Sequence, residues 1–507
     1  MWYSPKWESP AVPTKLGRFR RTRVGIALGA GVSTVVMLVA ATTWGQGPGR
    51  PSWDLKHPGD AKGPPPGRNW ARGPGHPDGP KGPPAKTDRG RDPRHPPRDS
   101  KRPGDAKGPP PGVVPNLPLA IQGQRIFRYD TFGDEAFWGE TLRLHEAVAG
   151  LTPRQALGLG LKVDAESLPA PLRLRLRRGQ VDLDDPATTL ALLRLDAVVG
   201  VSGSFTPDGR RLQSLGITCA LCHSTVNDSL APGVGRRLDG WANRDLDVGS
   251  IIAAAPNLSP FSELLDVPEG AVRDVLRTWG PGKFDPILVL DGKAFRPDGE
   301  PGAVLIPPAF GLAGVELATV TGWGSISYWN SFVAVLEMRG QGSFFDRRIN
   351  DPERFPIAAA NGLFAVEHFP DRVTPKLPAL RAYQHALRAP RPPARSFDAR
   401  RAVRGGRLFQ GKAQCATCHV PPLFTEPNGV LHAPEEIGID DFQANRSPTG
   451  GYRTTPLRGL WTHAKGGFYH DGRFKDLKEV VEHYDQHFGL TLTDGEVGDL
   501  VEFLKSL

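Results

Sequence analysis

The sequence predicts a mainly α-helical protein in which two small domains of one kind pack together behind a transmembrane helix and a disordered linker. Three observations predict this fold class. The motif Cys-x-x-Cys-His occurs twice and uses all four cysteines of the 507-residue chain. Apolar residues at helical spacing flank the motifs. An apolar run near the N terminus is followed by a long stretch rich in proline and glycine.

Each motif has the chemistry that attaches a c-type haem. Two thiols three residues apart lie on one side of a helical turn and can both form thioethers to one porphyrin edge, and the next residue ligates the iron. A zinc site would need four ligands together, and a thioredoxin-like pair needs no following histidine. We therefore predict two covalently bound haem c groups, held by Cys219, Cys222 and His223 and by Cys415, Cys418 and His419.

Residues 1–45 are predicted to form a cytoplasmic stub and a membrane anchor or signal. The apolar run from Val24 to Trp44 is long enough to cross a bilayer at ~1.5 Å per residue. Ala40 and Ala41 offer only a vague cleavage site, so the length favours an uncleaved anchor over a cleaved signal. Five basic residues before the run place the N terminus in the cytoplasm: Lys15, Arg18, Arg20, Arg21 and Arg23. Because haem attaches to this motif outside the bacterial cytoplasm, we expect the rest of the chain on the periplasmic side of the cell envelope.

Residues 46–117 are predicted to be a disordered, basic linker. A ten-residue sequence rich in proline and glycine occurs twice, at Pro58–Gly67 and Pro103–Gly112, and the segment has little apolar surface to bury. Residues 1–117 hold 20 Lys and Arg against 8 Asp and Glu, so the remaining residues hold 43 against 46. The net charge of +9 therefore belongs to the N-terminal tail, and it predicts no nucleic-acid partner.

The first haem domain is predicted over residues 118–395, with large insertions. Gln122–Phe127 has the pattern of an opening helix, but the cysteines follow only at Cys219. A second helix is expected over Leu142–Val148. After the motif we expect short helices and loops over the haem, with little sheet.

The second domain is predicted over residues 396–507 and has a simpler pattern. Ala402–Phe409 has helical spacing with glycines that permit close packing, and it precedes Cys415. Apolar residues from Leu500 to Leu507 form one face of a terminal helix, with Asp494 near its start. This order of helix, haem motif and helix is the plan of a cytochrome c domain.

Two cytochrome c domains in one exported chain resemble the bacterial dihaem cytochrome c peroxidase and MauG family. Tyr452–Leu460 and Gly467–Gly472 are similar to the Arg-Thr-Pro-x-Leu-Arg-Asn and Tyr-Phe-His-Asp-Gly segments of that family. The resemblance covers the C-terminal domain well and the N-terminal domain loosely. It implies a peroxidase that uses hydrogen peroxide and a small redox donor protein such as a cytochrome c. The family also holds calcium between its domains, and the sequence leaves open whether this chain does.

The resemblance implies a second axial ligand for the C-terminal haem fourteen positions after His470, where this chain has Tyr484. The peroxidases have Met at that position, whereas MauG has Tyr. A phenolate is a hard donor that favours ferric or higher-valent iron. His470, His483 and His487 are alternative ligands.

The resemblance also implies a catalytic acid and an electron relay. Glu337 corresponds to the distal acid–base residue above the N-terminal haem, where a carboxylate can move a proton between the oxygens of peroxide. Its neighbour Met338 is assigned to packing, and the alternative for Glu337 is an exposed residue on an amphipathic helix. Trp329, preferred to Trp323, corresponds to the tryptophan between the haems, and the alternative is a core aromatic residue.

The predicted function is peroxide reduction by an external one-electron donor. No His or Met follows His223 before Met338, which predicts a first haem open to a small ligand. Three alternatives stay open: MauG-like oxidation of a protein partner, dioxygen chemistry like that of the rubber-cleaving oxygenases, and a non-catalytic electron-transfer cytochrome. Glu337 argues against the oxygenase, and the open first haem argues against the carrier.

Overall fold

The computed structural model describes residues 117–426, 429–463 and 465–507. The predicted anchor over residues 1–45 lies outside the described residues, as does the predicted linker except for its last residue, Leu117. Within the described ranges, no helix combines the length and the apolar character needed to cross a membrane.

The described part is mainly helical, as predicted. In the first half the helices are α1 Leu117–Tyr129, α2 Leu144–Ala149, α3 Pro153–Gly158, α4 Ala170–Arg177, α5 Pro186–Arg194, α6 Ala220–His223, α7 Val248–Ala253, α8 Ser259–Leu265, α9 Glu269–Thr278 and α10 Leu288–Asp291. They are followed by α11 Ile326–Phe332, α12 Pro356–Ala360, α13 Leu377–Ala386, α14 Ala399–Gln410, α15 Phe442–Asn445, α16 Leu477–Phe488 and α17 Asp494–Lys505. Two π-helical segments are Ala136–Thr141 and Val333–Glu337, and the 3₁₀ turns are Arg347–Ile349, Thr374–Lys376, Cys415–Thr417, Pro434–Glu436 and Leu460–His463.

The strands form six small two-stranded sheets within the described residues. They are β1 Val163–Asp164, β2 Val201–Phe205, β3 Leu212–Ile217, β4 Ser224–Val226, β5 Val234–Gly235, β6 Arg237–Asp239, β7 Lys283–Phe284, β8 Val304–Leu305, β9 Phe344–Phe345, β10 Ala365–Val366, β11 Leu431–His432 and β12 Tyr452–Arg453. Only β1 and β5 pair in parallel. The longest pair is β2–β3, in which Val201 lies opposite Ile217 and a bulge separates Ser204 from Phe205.

The helix expected over Leu142–Val148 is divided in the structure. The π-helix ends at Thr141, and Arg143 has a φ of +58° that no regular helix tolerates. Helix α2 begins only at Leu144. The apolar spacing was therefore correct for the second half of this segment, while the backbone turns at Arg143 to bury Leu142 and Leu144 in the same core.

Two pairs of helices cross at glycines where an added side chain would clash with a backbone carbonyl. A Cβ at Gly123 in α1 would lie 1.9 Å from the carbonyl oxygen of Ala379 in α13, and one at Gly405 in α14 would lie 2.0 Å from that of Asp499 in α17. Along the chain, the two helices of each pair lie on either side of one Cys-x-x-Cys-His motif. Backbones can approach this closely only where one residue has no side chain.

Three apolar clusters form the core. One is built from the segment between Trp138 and Ile306, and a second from α1, α11, α13 and the residues around them. The third is confined to residues between Leu408 and Leu507, with Phe409 of α14 packed 5.0 Å from Phe503 of α17 between ring centroids.

Candidate functional site

The first haem motif lies in a short helix that follows strand β3. Cys219 precedes α6, and His223 is its last residue. The His223 ring Nδ1 lies 3.0 Å from the carbonyl oxygen of Pro307. Because a carbonyl only accepts, Nδ1 carries the proton and donates it, which leaves Nε2 with a free lone pair. Burial lowers the pKa of His223, so the ring is neutral and suited to bind a metal.

The second motif repeats this arrangement with a tighter turn. Cys415–Thr417 forms a 3₁₀ turn after α14. The His419 ring Nδ1 lies 3.0 Å from the carbonyl oxygen of Phe424, so it too donates a hydrogen bond and leaves Nε2 free. Burial lowers the pKa of His419 as well. Both histidines therefore have the orientation and tautomer of an iron ligand.

Both motifs line one continuous cavity of about 850 Å³. Burial raises the pKa of Cys219 and of Cys222 to about 12 and that of Cys415 to about 11. The walls are mainly aliphatic and aromatic side chains from both halves of the described chain. An apolar cavity that carries thiols and a neutral histidine at two places fits covalently attached haem c.

Two buried arginines give this fit a second, independent support. Arg244 and Arg453 line the cavity; Nε and Nη1 of Arg244 and Nη1 of Arg453 have no hydrogen-bond partner among the described residues, whereas Nε of Arg453 donates to the carbonyl oxygen of Thr319. Burial lowers the pKa of each to about 10, because a cation is costly away from water. A buried cation of this kind requires an anion. The carboxylates of haem propionates have the chemistry to supply it.

Glu337 lies in this cavity and not on an exposed helix face. It ends the π-helix Val333–Glu337, and its Oε1 is buried with no hydrogen-bond partner among the described residues. Burial raises the pKa of Glu337 well above its ordinary value, the nearby Arg339 partly offsets this, and Asp285 adds to it. The alternative of a solvent-exposed Glu337 is wrong, whereas its catalytic role stays a prediction.

Arg339 was not identified from the sequence. Its guanidinium lines the cavity beside Glu337, and burial lowers its pKa. The residue has a φ of +61°, a left-handed conformation that is uncommon outside glycine. This backbone bend follows the π-helix and brings Glu337 and Arg339 to one cavity, which no sequence pattern signals.

Trp329 also lines the cavity, and its indole Nε1 has no hydrogen-bond partner in the described part of the chain. Its ring centroid lies 5.6 Å from that of Trp323 and 5.0 Å from that of Phe332. Trp323, by contrast, donates its Nε1–H to Asp346 at 3.2 Å. An aromatic cluster thus adjoins the cavity at Trp329, and the relay role of this residue stays a prediction.

The four candidates for the second axial ligand fall into two groups. Tyr484 and His470 line the cavity. His483 and His487 do not line it, because their Nε2 atoms lie 3.3 Å and 3.0 Å from the carbonyl oxygens of Ile437 and Glu436. Of the four candidates, only Tyr484 and His470 therefore lie where a haem bound to the second motif could meet them.

These two residues have different surroundings. Tyr484 lies in α16. Burial raises the pKa of its phenol, and the neighbouring thiols of Cys418 and Cys415 raise it further. His470 is held against another element, with its ring stacked 5.4 Å from that of Tyr452 and its Nε2 3.7 Å from a carboxylate oxygen of Asp440. Burial lowers the pKa of His470 to about 4.

Two curated proteins are similar to part of this chain. One is the methylamine utilization protein MauG of Methylorubrum extorquens, 33% identical over 123 residues, which cover 21% of this chain and 34% of that protein. The other is the cytochrome-c peroxidase IdrP2 of Pseudomonas sp. (strain SCT), 30% identical over 145 residues, which cover 21% of this chain and 39% of that protein. The resemblance to the dihaem cytochrome c peroxidase and MauG family is confirmed.

The chain spans between a third and two fifths of the length of these relatives. No protein-family model matches it. Among solved structures, hydrazine synthase of Kuenenia stuttgartiensis pressurised with xenon aligns at 23% identity over 30% of this chain and 59% of that one. The TM-score of 0.20 is too low for that structure to inform the fold.

A carboxylate–histidine cluster near the second motif also escaped the sequence analysis. The ring nitrogens of His432 lie 2.6 Å from Glu426 and 2.8 Å from Glu436. Burial lowers the pKa of His432, but the hydrogen bonds to the two carboxylates outweigh this and raise it. The atoms that His432, Glu426 and Cys418 offer lie within 4.8 Å of one another. The spacing of Glu426, His432 and Glu436 along the chain is too common to identify such a cluster in advance.

The possibility of calcium, which the family resemblance raised, has one candidate position. Asp440, His470 and Asp471 offer ligand atoms within 4.8 Å of one another. However, Arg473 pairs with both carboxylates, and Arg296 pairs with Asp471. These guanidinium groups neutralise the carboxylates that calcium would require. Calcium binding stays a prediction.

Proposed function

We propose that the chain is a dihaem c-type oxidoreductase that reduces hydrogen peroxide with electrons from an external one-electron donor, such as a small cytochrome c. The overall change is that peroxide takes up two electrons and two protons and forms two molecules of water. The observation that carries the proposal is that the unpartnered carboxyl of Glu337 lines the same cavity as both Cys-x-x-Cys-His motifs.

Bound haem c would supply iron that binds a small ligand and exchanges single electrons. The cavity would hold this group through the four cysteines, with His223 and His419 as ligands to the two irons. Arg244 and Arg453, whose guanidinium groups have unpartnered nitrogens, would receive the propionate carboxylates of the haems. The protein thus contributes attachment, orientation and a dry environment.

Glu337 is suited to moving the protons. Because burial keeps its carboxyl neutral, one oxygen can donate a proton to the departing oxygen of peroxide while the other accepts the proton of the remaining oxygen. Arg339 stabilises negative charge that develops nearby. Trp329 would relay electrons between the two haems.

The test uses the haem-loaded protein mixed with hydrogen peroxide and reduced cytochrome c, with cytochrome oxidation followed optically. Glu337→Gln keeps the size of the side chain and removes its acid. We expect its rate to fall by about 10²- to 10⁴-fold, the usual contribution of a general acid–base group. Met338→Leu, at the neighbouring buried position, is the matched control and should retain the rate. Equal rates for the Glu337 variant and the native protein would contradict the proposal.

A second function deserves a test because Tyr484 lines the cavity beside Cys415 and Cys418. A phenolate ligand favours high-valent iron and suits MauG-like oxidation of a protein partner. Consumption of peroxide without oxidation of cytochrome c would favour that function. Reaction with dioxygen but not with hydrogen peroxide would favour oxygenase chemistry. No reaction with hydrogen peroxide or with dioxygen would favour a non-catalytic electron-transfer cytochrome.

We also propose a place for the protein in the cell. The two Cys-x-x-Cys-His motifs require haem attachment outside the bacterial cytoplasm, and the run Val24–Trp44 has the length of an anchor. The protein would face the periplasm from the inner membrane. Fractionation of cells that express the full chain tests this, because release of the protein with the soluble periplasmic fraction would indicate a cleaved signal instead.

A further inference from the structure

A second cavity, separate from the proposed reaction, lies in the insertion before the first haem motif. It has a volume of about 400 Å³, which is within the range of small-molecule binding sites. Its walls are mainly aliphatic, with a few polar and charged residues, and most of them come from α2 to α5 and the strands behind them. Representative lining residues are Leu151, Leu157, Leu172, Leu176, Leu192 and Val234.

This second cavity adjoins the haem cavity. Leu144, Ile217, Leu221 and Ile251 line both. Leu221 lies between the two cysteines of the first motif. A molecule bound in the second cavity would therefore contact the wall that supports the first haem.

One buried polar atom indicates that the second cavity receives a ligand. Thr189 in α5 lines the cavity and is 4% exposed, and its hydroxyl has no partner among the described residues. A buried hydroxyl without a partner is unfavourable. A ligand with one polar atom could complete its hydrogen bond.

The charge around the cavity indicates which kind of ligand this is. Helix α4 alternates leucine and arginine: Leu172 and Leu176 line the cavity, and Arg175 lines it beside them. None of the four arginines of this segment forms an ion pair with a described residue. They are Arg173, Arg175, Arg177 and Arg178.

The other charged residues that line the cavity are two carboxylates and one lysine. The carboxylates of Asp182 and Asp185 accept the backbone N–H groups of Asp184 and Ala187 at 2.8 Å and 2.9 Å. Lys162 pairs with Asp245 at 2.7 Å. Neither Asp182 nor Asp185 forms an ion pair with a described residue, but the four arginines of the α4 segment outnumber these two, so the uncompensated charge here is net positive.

We propose that this cavity binds a free fatty acid, with the alkyl chain among the leucines and the carboxylate held by the arginines of α4 and the hydroxyl of Thr189. An aliphatic cavity excludes polar ligands, and an unpaired arginine cluster selects an anion. The site is independent of the proposed peroxide reaction, so either can fail alone.

The test measures binding of octanoate, decanoate and dodecanoate to the haem-loaded full chain by calorimetry, below their micelle concentrations. Each added methylene should tighten binding about fourfold if the chain is buried, or roughly 200-fold from octanoate to dodecanoate. Dodecyltrimethylammonium, with the same chain and a cationic head, should not bind. Affinity that does not depend on chain length, or equal binding of the cation, would overturn the proposal.

A matched pair of tryptophan variants and one double arginine variant locate the site. Leu176→Trp places a large ring into the cavity and should abolish dodecanoate binding, whereas Leu174→Trp on the exposed face of the same helix should not. Arg175→Gln with Arg177→Gln changes only exposed side chains and should weaken dodecanoate about tenfold while leaving dodecanol unchanged. Unaltered dodecanoate binding in both the Leu176 variant and the double arginine variant, or binding to phosphatidylglycerol vesicles but not to free dodecanoate, would contradict a fatty-acid site.

Discussion

Burial controls the protonation of several single residues in this protein. Asp134, like Glu337, is enclosed by protein, so the charged form of its carboxyl loses the hydration that stabilises it in water. Buried histidines lose their charge for the same reason, as at His470. These residues therefore link the chemistry and the stability of the protein to pH.

Asp134 should make the folded state less stable as the pH rises. Burial raises its pKa from 3.8 to about 9, although the backbone N–H of Ile217 donates to it. Above pH ~4 the unfolded chain releases this proton, while the folded protein keeps it up to about pH 9. The free energy of unfolding should therefore fall by about 1.4 kcal/mol per pH unit over this window through Asp134 alone.

Urea unfolding of Asp134→Asn between pH 5 and pH 8 checks this prediction. The variant should lose that slope, because the amide does not ionise. Asp196→Asn, at an exposed position, is the control and should retain it. The same slope in the native protein and in the Asp134 variant would show that Asp134 is ionised in the folded state.

Tyr484 should set the potential of the second haem. A hard phenolate donor favours the ferric state, so Tyr484→Phe should raise the reduction potential on the order of 0.1 V, within the ~0.8 V range that axial ligands span. Redox titration with optical detection measures this change. Tyr469→Phe removes the neighbouring phenol that also lines the cavity. A shift in the Tyr469 variant but not in the Tyr484 variant would transfer the ligand role to Tyr469.

Among the elements, the two crossing helix pairs carry the common plan of the two haem segments. Helix α1 meets α13, and α14 meets α17, each through a glycine in contact with a backbone carbonyl. Aromatic pairs lie at both crossings, Phe127 with Tyr383 at 5.5 Å and Phe409 with Phe503 at 5.0 Å between ring centroids. The close backbone contact fixes the helices that flank each motif.

Gly405→Ala should destabilise the protein by about 1–3 kcal/mol, because the added methyl would lie 2.0 Å from the carbonyl oxygen of Asp499 and would push α14 from α17. Gly406→Ala is a matched control in the next position. Its methyl would lie 3.2 Å from ring atoms of Phe503, which can move, and the helix gains up to ~1 kcal/mol of intrinsic propensity. Thermal unfolding compares the two, and equal losses would indicate that the crossing tolerates a side chain.

For the whole molecule, a buried cluster of charges joins distant parts of the chain. Arg446, just after α15, is 1% exposed and donates to Asp285 at 3.1 Å and to Asp291 at 2.7 Å. It also donates to the carbonyl oxygen of Gly302 at 3.4 Å. Burial raises the pKa of Asp285, and Arg446 partly offsets this. Arg446 and Asp285 also line the cavity, so their ion pair joins two parts of the cavity wall that lie far apart in the sequence.

Arg446→Met should cost about 3–5 kcal/mol of unfolding free energy, because two carboxylates stay buried without a cation. Chemical unfolding measures the loss. The triple variant with Asp285→Asn and Asp291→Asn removes those charges as well and should recover most of it. A triple variant as unstable as the single one would show that Arg446 acts through its packing and not through its charge.

Some features were accessible from the sequence because they depend on neighbours along the chain. The opening and terminal helices of the second haem segment were predicted from apolar spacing and occur as α14 and α17. Helix α13 was missed, although it closes the first segment against α1. Pro378 lies in its first turn, where proline is tolerated, so the proline does not mark the end of a helix here.

The sequence by itself determined the two Cys-x-x-Cys-His motifs and the haem attachment that they predict, since two thiols and a histidine within five residues suffice to define each motif. Only the tertiary structure decided that both motifs share one cavity, that Glu337 is buried there beside Arg339, and that Tyr484 and His470 line it while His483 and His487 do not. The physical reason is that burial depends on contacts between residues far apart in the chain. Local periodicity predicts a helix, but the elements packed around that helix determine which of its residues reach the cavity.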